Sequence, residues 1–124
     1  MRFLGISVSR MNIEEAEMLD TSSDGPPLAC VPGAIAADER AAHFELIRRL
    51  FGDAVEERRD EVHGYAFRFA GDELATIARF VANERKCCPF VSFAIEVSGD
   101  GPVWLRMTGP PGTREFLEAE LPMR

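Results

Sequence analysis

The sequence lacks the features that direct a chain to membranes or nucleic acids. No apolar run approaches the roughly 20 residues that a helix needs to cross a bilayer. Basic residues do not predominate: 21 acidic residues outnumber 14 basic ones, and the formal net charge is -7. Such a charge disfavours nucleic acid and anionic lipid. A basic, apolar leader of secretory type is missing too. We therefore expect a cytoplasmic protein with neither nucleic acid nor membrane as a partner.

Common catalytic and nucleotide-binding motifs are missing as well. The sequence contains no phosphate-binding loop, no dinucleotide fingerprint, no HExxH, no GxSxG and no CxxC. Cysteine is scarce, with three residues in the chain. In a reducing cytoplasm, three cysteines are expected as free thiols, metal ligands or redox groups rather than as structural disulfides. Motifs alone therefore leave open whether the chain is an enzyme.

Length and composition indicate one globular domain. The chain has 124 residues, of which 46% are hydrophobic. The segment 21–27 is rich in Ser, Pro and Gly and has the composition of a linker. We therefore predict a flexible N-terminal arm over 1–27 and a single α+β domain over 28–124.

Hydrophobic periodicity predicts the elements of that domain. Period-two alternation marks two hairpins, and apolar positions three and four residues apart mark helices. We predict helices over 37–51, 72–87 and 113–121 and strands over 54–62, 65–69, 91–97 and 103–108. This order indicates a two-layer α+β sandwich, in which about four mostly antiparallel strands carry two or three helices on one face. The strand over 54–62 is highly charged, so we expect an edge strand, which suggests a homodimer.

The stretch 83–90 concentrates the reactive groups of the chain. It holds Cys87 and Cys88 side by side at the end of the central helix. The apolar positions of that helix are Leu74, Ile77, Ala78 and Val81. Continuing their period places Cys88 near the centre of the buried face and Glu84 one turn earlier, at an edge from which it reaches solvent.

These thiols suggest a site for a soft metal or metalloid ion. Thiolate sulfur selects Cu(I) and Zn(II), and As(III) and Hg(II) also suit it chemically. Three thiolates make a trigonal site if Cys30 folds back, whereas Zn(II) needs a fourth ligand. The candidate ligands are Cys30, Cys87, Cys88, Glu84, His43 and His63. Neighbouring residues on a helix point about 100° apart, so the helix must end by Cys88 for both sulfurs to bind one ion. Taken alone, His43 is expected at the boundary of its helix face and His63 exposed in a hairpin turn.

Two other hypotheses remain. In the first, one of Cys87 and Cys88 attacks a disulfide, a peroxide or another small thiol-reactive ligand, the other cysteine or Cys30 resolves the product, and Glu84 relays the proton. A redox nucleophile usually sits at a helix N-terminus, however, and these thiols lie at the opposite end. In the second, the cysteines are structural and the chain is a non-catalytic interaction domain.

Several motifs carry a resemblance to a known family. They are ERKCCPF over 84–90 followed by Phe93, WLRMTGPPG over 104–112, EFL over 115–117, GYAF over 64–67, and Cys30 ahead of the first helix. Together they resemble a small uncharacterised bacterial family, and the likeness covers roughly 28–121. Members of that family lie near heavy-metal or metalloid resistance genes, which implies that this chain handles a soft ion.

Overall fold

Within the described residues, three helices form in the segments for which the sequence predicts them. The computed structural model describes residues 31 and 33–123, so the arm predicted over 1–27 and Cys30 lie outside the described residues. Helix α1 spans Ala37–Ile47 and continues as a π-helical segment, Arg48–Ala54. Helix α2 spans Leu74–Cys87 after a short 3-10 turn, and α3 spans Thr113–Glu120. The first helix therefore runs beyond its predicted end at residue 51, because the π-helical turns carry it past Gly52.

The period-two segments form two hairpins within one sheet. The strands are β1 Glu57–Glu61, β2 Gly64–Phe69, β3 Ser92–Val97 and β4 Val103–Thr108. All neighbouring pairs are antiparallel, and the order across the sheet is β1-β2-β4-β3. The predicted α+β fold is confirmed, and β1 lies at an edge as its charges indicated.

The helices pack on the apolar face of the two central strands. Alternate residues of β4, namely Val103, Leu105 and Met107, are buried. The ring of Phe51 packs edge-on against Phe67, Phe69 and Phe80, with centroid distances of 5.0–5.8 Å. This contact joins the end of the first helix, strand β2 and helix α2 in one aromatic core.

Helix α2 buries a face that is rotated from the predicted one. Its buried residues are Ile77, Phe80 and Glu84, whereas Leu74 and Ala78 are exposed. The aromatic packing explains the rotation, since Phe80 contacts both Phe51 and Phe93 in the core. As a result, Glu84 lies at the centre of the buried face, and the expectation that it reaches solvent is wrong.

A glycine sets the position of α3 against the end of α2. A Cβ atom at Gly109 would lie 2.9 Å from the carbonyl oxygen of Phe90 and 2.5 Å from Thr113 Oγ1. Only a residue without a side chain allows this approach. The turn before α3 therefore lies against the chain that follows Cys88. Within the described part of the chain, no helix has the length and apolarity required to cross a membrane.

Candidate metal centre

The end of α2 brings the two neighbouring thiols together. The helix ends at Cys87, and Cys88 leaves the helical conformation with φ -124° and ψ 74°, while its N–H donates to the Glu84 carbonyl at 2.7 Å. Pro89 follows, and the residue before a proline avoids helical angles. The Cys87 and Cys88 sulfurs consequently lie 3.7 Å apart. The helix thus ends before Cys88, as the sequence analysis required for both sulfurs to bind one ion.

Two carboxylates complete a cluster with these sulfurs. One ligand atom from each of Glu84, Cys87, Cys88 and Glu120 lies within 4.8 Å of all the others. The Cys88 sulfur is 3.3 Å from Glu84 Oε2 and 3.8 Å from Glu120 Oε1. Glu84 and Cys88 are fully buried, and Cys87 and Glu120 are half-buried. Four groups of the types that bind metals are thus placed so that one ion can contact all of them.

The separations within the cluster match those around a tetrahedral ion. With Zn–S bonds of about 2.3 Å and Zn–O bonds of about 2.1 Å, tetrahedral geometry sets sulfur–sulfur distances of about 3.8 Å and sulfur–oxygen distances of about 3.6 Å. The three distances measured from the Cys88 sulfur are 3.7 Å to sulfur and 3.3 and 3.8 Å to oxygen. Small side-chain adjustments would therefore seat an ion of this size.

His43 supports the cluster from α1. Its Nε2 lies 2.8 Å from Glu84 Oε1, and its ring stacks on Phe80 at a centroid distance of 5.8 Å. It is 2% exposed, so the expectation of a boundary position is wrong. The other ring nitrogen, Nδ1, is buried and has no hydrogen-bond partner among the described residues. His43 therefore orients one Glu84 oxygen and leaves the other facing Cys88.

The electrostatics of Glu84 favour the ionised form. Burial raises the pKa of its carboxyl, but hydrogen bonding with His43, Glu120 and Cys88, together with the His43 charge, outweighs burial and leaves the pKa below its usual value. The Cys88 thiol donates to this carboxylate at 3.3 Å. If both thiols and both carboxyls were ionised at once, their repulsion in a buried site would be severe. The cluster must therefore keep protons or take up a cation.

A cavity of about 170 Å³ opens beside the cluster. Its walls are mostly apolar. The residues that line it are Val31, Gly33, Ile35, Arg40, His43, Phe44, Cys87 and Glu120. Cys87 and Glu120 thus belong both to the cluster and to the cavity wall, and small molecules can reach the half-buried cysteine from this side.

The structure brings some of the predicted site residues together and separates others. Glu84, Cys87 and Cys88 belong to the cluster, and His43 touches it through Glu84. His63 does not: it is exposed in the turn between β1 and β2, with a φ of 57°, beside Gly112 and Arg114.

Cys30 lies outside the described residues. The nearest described residue along the chain is Val31, whose N–H donates to the Cys87 carbonyl at 2.8 Å. This hydrogen bond joins the chain just after Cys30 to the end of α2.

Glu120 is the member of the site that sequence reasoning missed. It is the last residue of α3 and is half-buried. For Glu84, by contrast, a signal was available in the sequence. Ile77, Phe80, Glu84 and Cys88 follow one another at helical spacings of three, four and four, which places the glutamate on the buried face.

Comparison with known proteins returns no likeness: no family model, no curated protein and no solved structure matches the chain. The function is therefore argued from the geometry of the site.

Proposed function

We propose that this protein binds a soft or borderline metal or metalloid ion through Cys87 and Cys88, with Glu84 and Glu120 as oxygen ligands, and serves in resistance to that ion or in sensing it. The observation that carries the proposal is the convergence of four ligand atoms within 4.8 Å of one another in a mostly buried place. Thiolates and carboxylates must lose their protons to bind a metal, so an ion would relieve the crowding of acidic groups.

The helix dipoles support a cation at this place. Cys87 is the last residue of α2 and Glu120 the last residue of α3, so two helix C-termini converge on the cluster. The C-terminal end of a helix carries partial negative charge, which stabilises a cation and destabilises a thiolate that has no cation beside it. The same field that opposes a reactive free thiolate therefore favours a bound ion.

The ligand set narrows the class of ion. Two sulfurs with two carboxylates suit Zn(II), a borderline ion that accepts both donor types in tetrahedral geometry. Cu(I), Hg(II) and As(III) prefer sulfur alone and call for a third thiolate. Cys30 is the remaining cysteine of the chain. A requirement for Cys30 thus distinguishes a thiolate site for a soft ion from a mixed site for Zn(II).

Native mass spectrometry of anaerobically purified protein, with elemental analysis of the same sample, tests the proposal. Zn(II), Cu(I) and arsenite are added in turn to the wild type and to the Cys87→Ser/Cys88→Ser and Cys30→Ser variants. We expect a stoichiometric ion that the double variant loses. If Cys30→Ser still binds the ion, the site is the mixed site of two sulfurs and two carboxylates. If Cys30→Ser loses the ion, the site is the one with three thiolates. A wild type that takes up none of the three ions while its thiols remain reactive refutes the proposal.

Thiol redox chemistry is the second candidate, and one contact favours it. Glu84 Oε2 accepts a hydrogen bond from the Cys88 thiol at 3.3 Å and is placed to take its proton. The half-buried Cys87 sulfur attacks a substrate disulfide and forms a mixed disulfide, and its proton goes to the thiolate that leaves. The Cys88 thiolate, or Cys30, then displaces the second thiolate, which takes up the remaining proton, so the protein is oxidised and the substrate reduced. Disulfide or peroxide turnover that Cys88→Ser abolishes, in protein that binds no ion, establishes this candidate.

A further inference from the structure

The cavity beside the cluster has the size of a small aromatic ring. Its volume is about 170 Å³. An apolar protein cavity of about 150 Å³ is known to hold benzene. Val31, Ile35 and Phe44 supply apolar walls. The space therefore suits an apolar group of up to about six or seven heavy atoms.

One side of the cavity carries the reactive groups. Cys87, Glu120 and His43 line it, whereas Cys88 is fully buried and does not. The buried His43 Nδ1, which has no hydrogen-bond partner among the described residues, belongs to a side chain on this wall. A ligand in the cavity thus lies beside Cys87, which is also a member of the cluster.

We propose that this cavity receives the organic group of a small organometal or organometalloid ion whose metal or metalloid atom is held by the sulfurs of Cys87 and Cys88. The inference rests on the proposed ion site and names its ligand class. A bare ion needs only the four ligand atoms of the cluster. An ion with an apolar substituent could in addition place that substituent in the apolar cavity, because Cys87 belongs to both the cavity wall and the cluster.

The affinities of two arsenic compounds, one with a phenyl group and one without, measure the contribution of the organic substituent. Phenylarsine oxide reacts with two thiols: its oxygen leaves as water with one proton from each thiol, and two arsenic–sulfur bonds form without a change of oxidation state. Arsenite reacts with the same two thiols, releases two waters and keeps a hydroxyl group. The products differ only in the phenyl group or hydroxyl group on arsenic, so the difference in affinity contains the contribution of the cavity.

The experiment measures both dissociation constants by competition with a small dithiol, in a Cys30→Ser background so that the same thiols serve both compounds. The quantity compared is the ratio of the arsenite constant to the phenylarsine oxide constant. Ile35→Phe fills the cavity and is expected to lower this ratio about tenfold or more, since a buried apolar group of this size contributes that much. The arsenite constant itself should stay within about threefold, because one hydroxyl group needs little of the apolar space.

Matched variants keep the outcome decisive. Val31→Phe at the half-exposed rim of the cavity is the second filling variant if Ile35→Phe does not fold, and Val62→Phe, at an exposed position away from the cavity, is the control. The proposal is supported if the ratio falls in the cavity-filling variant and stays unchanged in Val62→Phe. A ratio that is equal in all variants, with arsenite bound, overturns this inference alone. If neither compound binds even the wild-type protein, the ion site and the inference fall together. Binding of phenylarsine oxide that needs Cys30 overturns this inference alone, because Cys87 and Cys88 then do not suffice to hold the arsenic atom.

Discussion

Two polar clusters, both attached to α3, differ in how their charges are balanced. At one, Glu118 accepts a hydrogen bond from the Tyr65 hydroxyl, and the guanidinium groups of Arg58 and Arg114 lie 5.2 and 5.3 Å from the centre of the tyrosine ring. At the other, two residues along the helix, Glu120 joins Glu84 and two thiols, and the ion pair of Glu84 is with His43.

The difference is why we propose the ion at the cysteine cluster and not at the tyrosine cluster. The tyrosine cluster holds the cations of Arg58 and Arg114 beside the carboxylate of Glu118, and the Asp60 carboxylate lies 3.8 Å from Arg114, so the chain itself balances the charges. The cysteine cluster gathers four groups that can all become anionic around one imidazole, in a place that is mostly buried. Thiols and carboxyls lose their protons when they bind a metal, so a cation placed among them would offset the charge that they gain.

The largest expected effect is the loss of the ion from the cysteine cluster. Cys87→Ser/Cys88→Ser removes both sulfur ligands, and we expect affinity for Zn(II) or arsenite to fall by about 100-fold or more, because even groups outside the ligand shell are worth up to about 100-fold. Titration calorimetry on protein purified without oxygen measures this loss. Tyr65→Phe, in the other cluster, is the control and should bind as the wild type does. Equal affinity in the wild type and the double variant contradicts the assignment of the ligands.

The buried His43–Glu84 pair gives the next largest effect, on stability. His43→Leu removes the imidazole that pairs with the buried Glu84 carboxylate and should lower the free energy of unfolding by about 3 kcal/mol. Adding Glu84→Leu removes the buried carboxylate as well, and replacing both partners of a buried ion pair by apolar residues changes the stability little. The double variant should therefore recover most of the loss in urea titrations of metal-free protein. A double variant as unstable as the sum of its single variants shows that the two side chains are not paired.

Sequence patterns predicted the fold more fully than the site. Alternation in 65–69 and 103–108 located the two central strands, because two-residue periodicity on a half-buried sheet is a strong local signal. The central helix was predicted over 72–87, but its face was centred on Leu74 and Ala78 rather than on Phe80. That choice placed Glu84 at the edge, although it lies in the core.

The remaining parts of the site depend on contacts that local patterns do not contain. Glu84 and His43 are 41 residues apart, and Cys88 and Glu120 are 32 apart. Such pairings follow from how α1, α2 and α3 pack on the sheet, so neither His43 as a buried partner nor Glu120 as a member of the cluster was predictable from periodicity. The two adjacent thiols and Glu84 were identifiable as candidates because they share one helix end.

A smaller effect distinguishes Glu120 from Glu118, two of the glutamates of α3. Glu120→Gln removes one negative oxygen ligand and should weaken Zn(II) binding about tenfold, the lower end of what groups near a metal contribute. Glu118→Gln makes the same chemical change two residues away, in the balanced cluster, and should leave Zn(II) affinity within about twofold, since long-range charge effects are screened by salt. Titration calorimetry of both variants at equal ionic strength makes the comparison. Equal weakening by the two substitutions points to net charge rather than to coordination.

The smallest expected effect is a shift in the pKa of Tyr65 in the tyrosine cluster. Burial, and then the hydrogen bond and charge of Glu118, raise the pKa of the Tyr65 hydroxyl above its usual value of about 10, against the opposing charges of Arg58 and Arg114. Tyr65 is the only tyrosine in the chain, so absorbance near 295 nm follows its ionisation alone. Glu118→Gln removes the negative charge that disfavours phenolate, and the midpoint should move down while burial keeps it above that of a free tyrosine. An unchanged titration midpoint in Glu118→Gln would show that Glu118 does not interact with the Tyr65 hydroxyl. The proposed contrast in charge balance between the tyrosine cluster and the cysteine cluster would then fail.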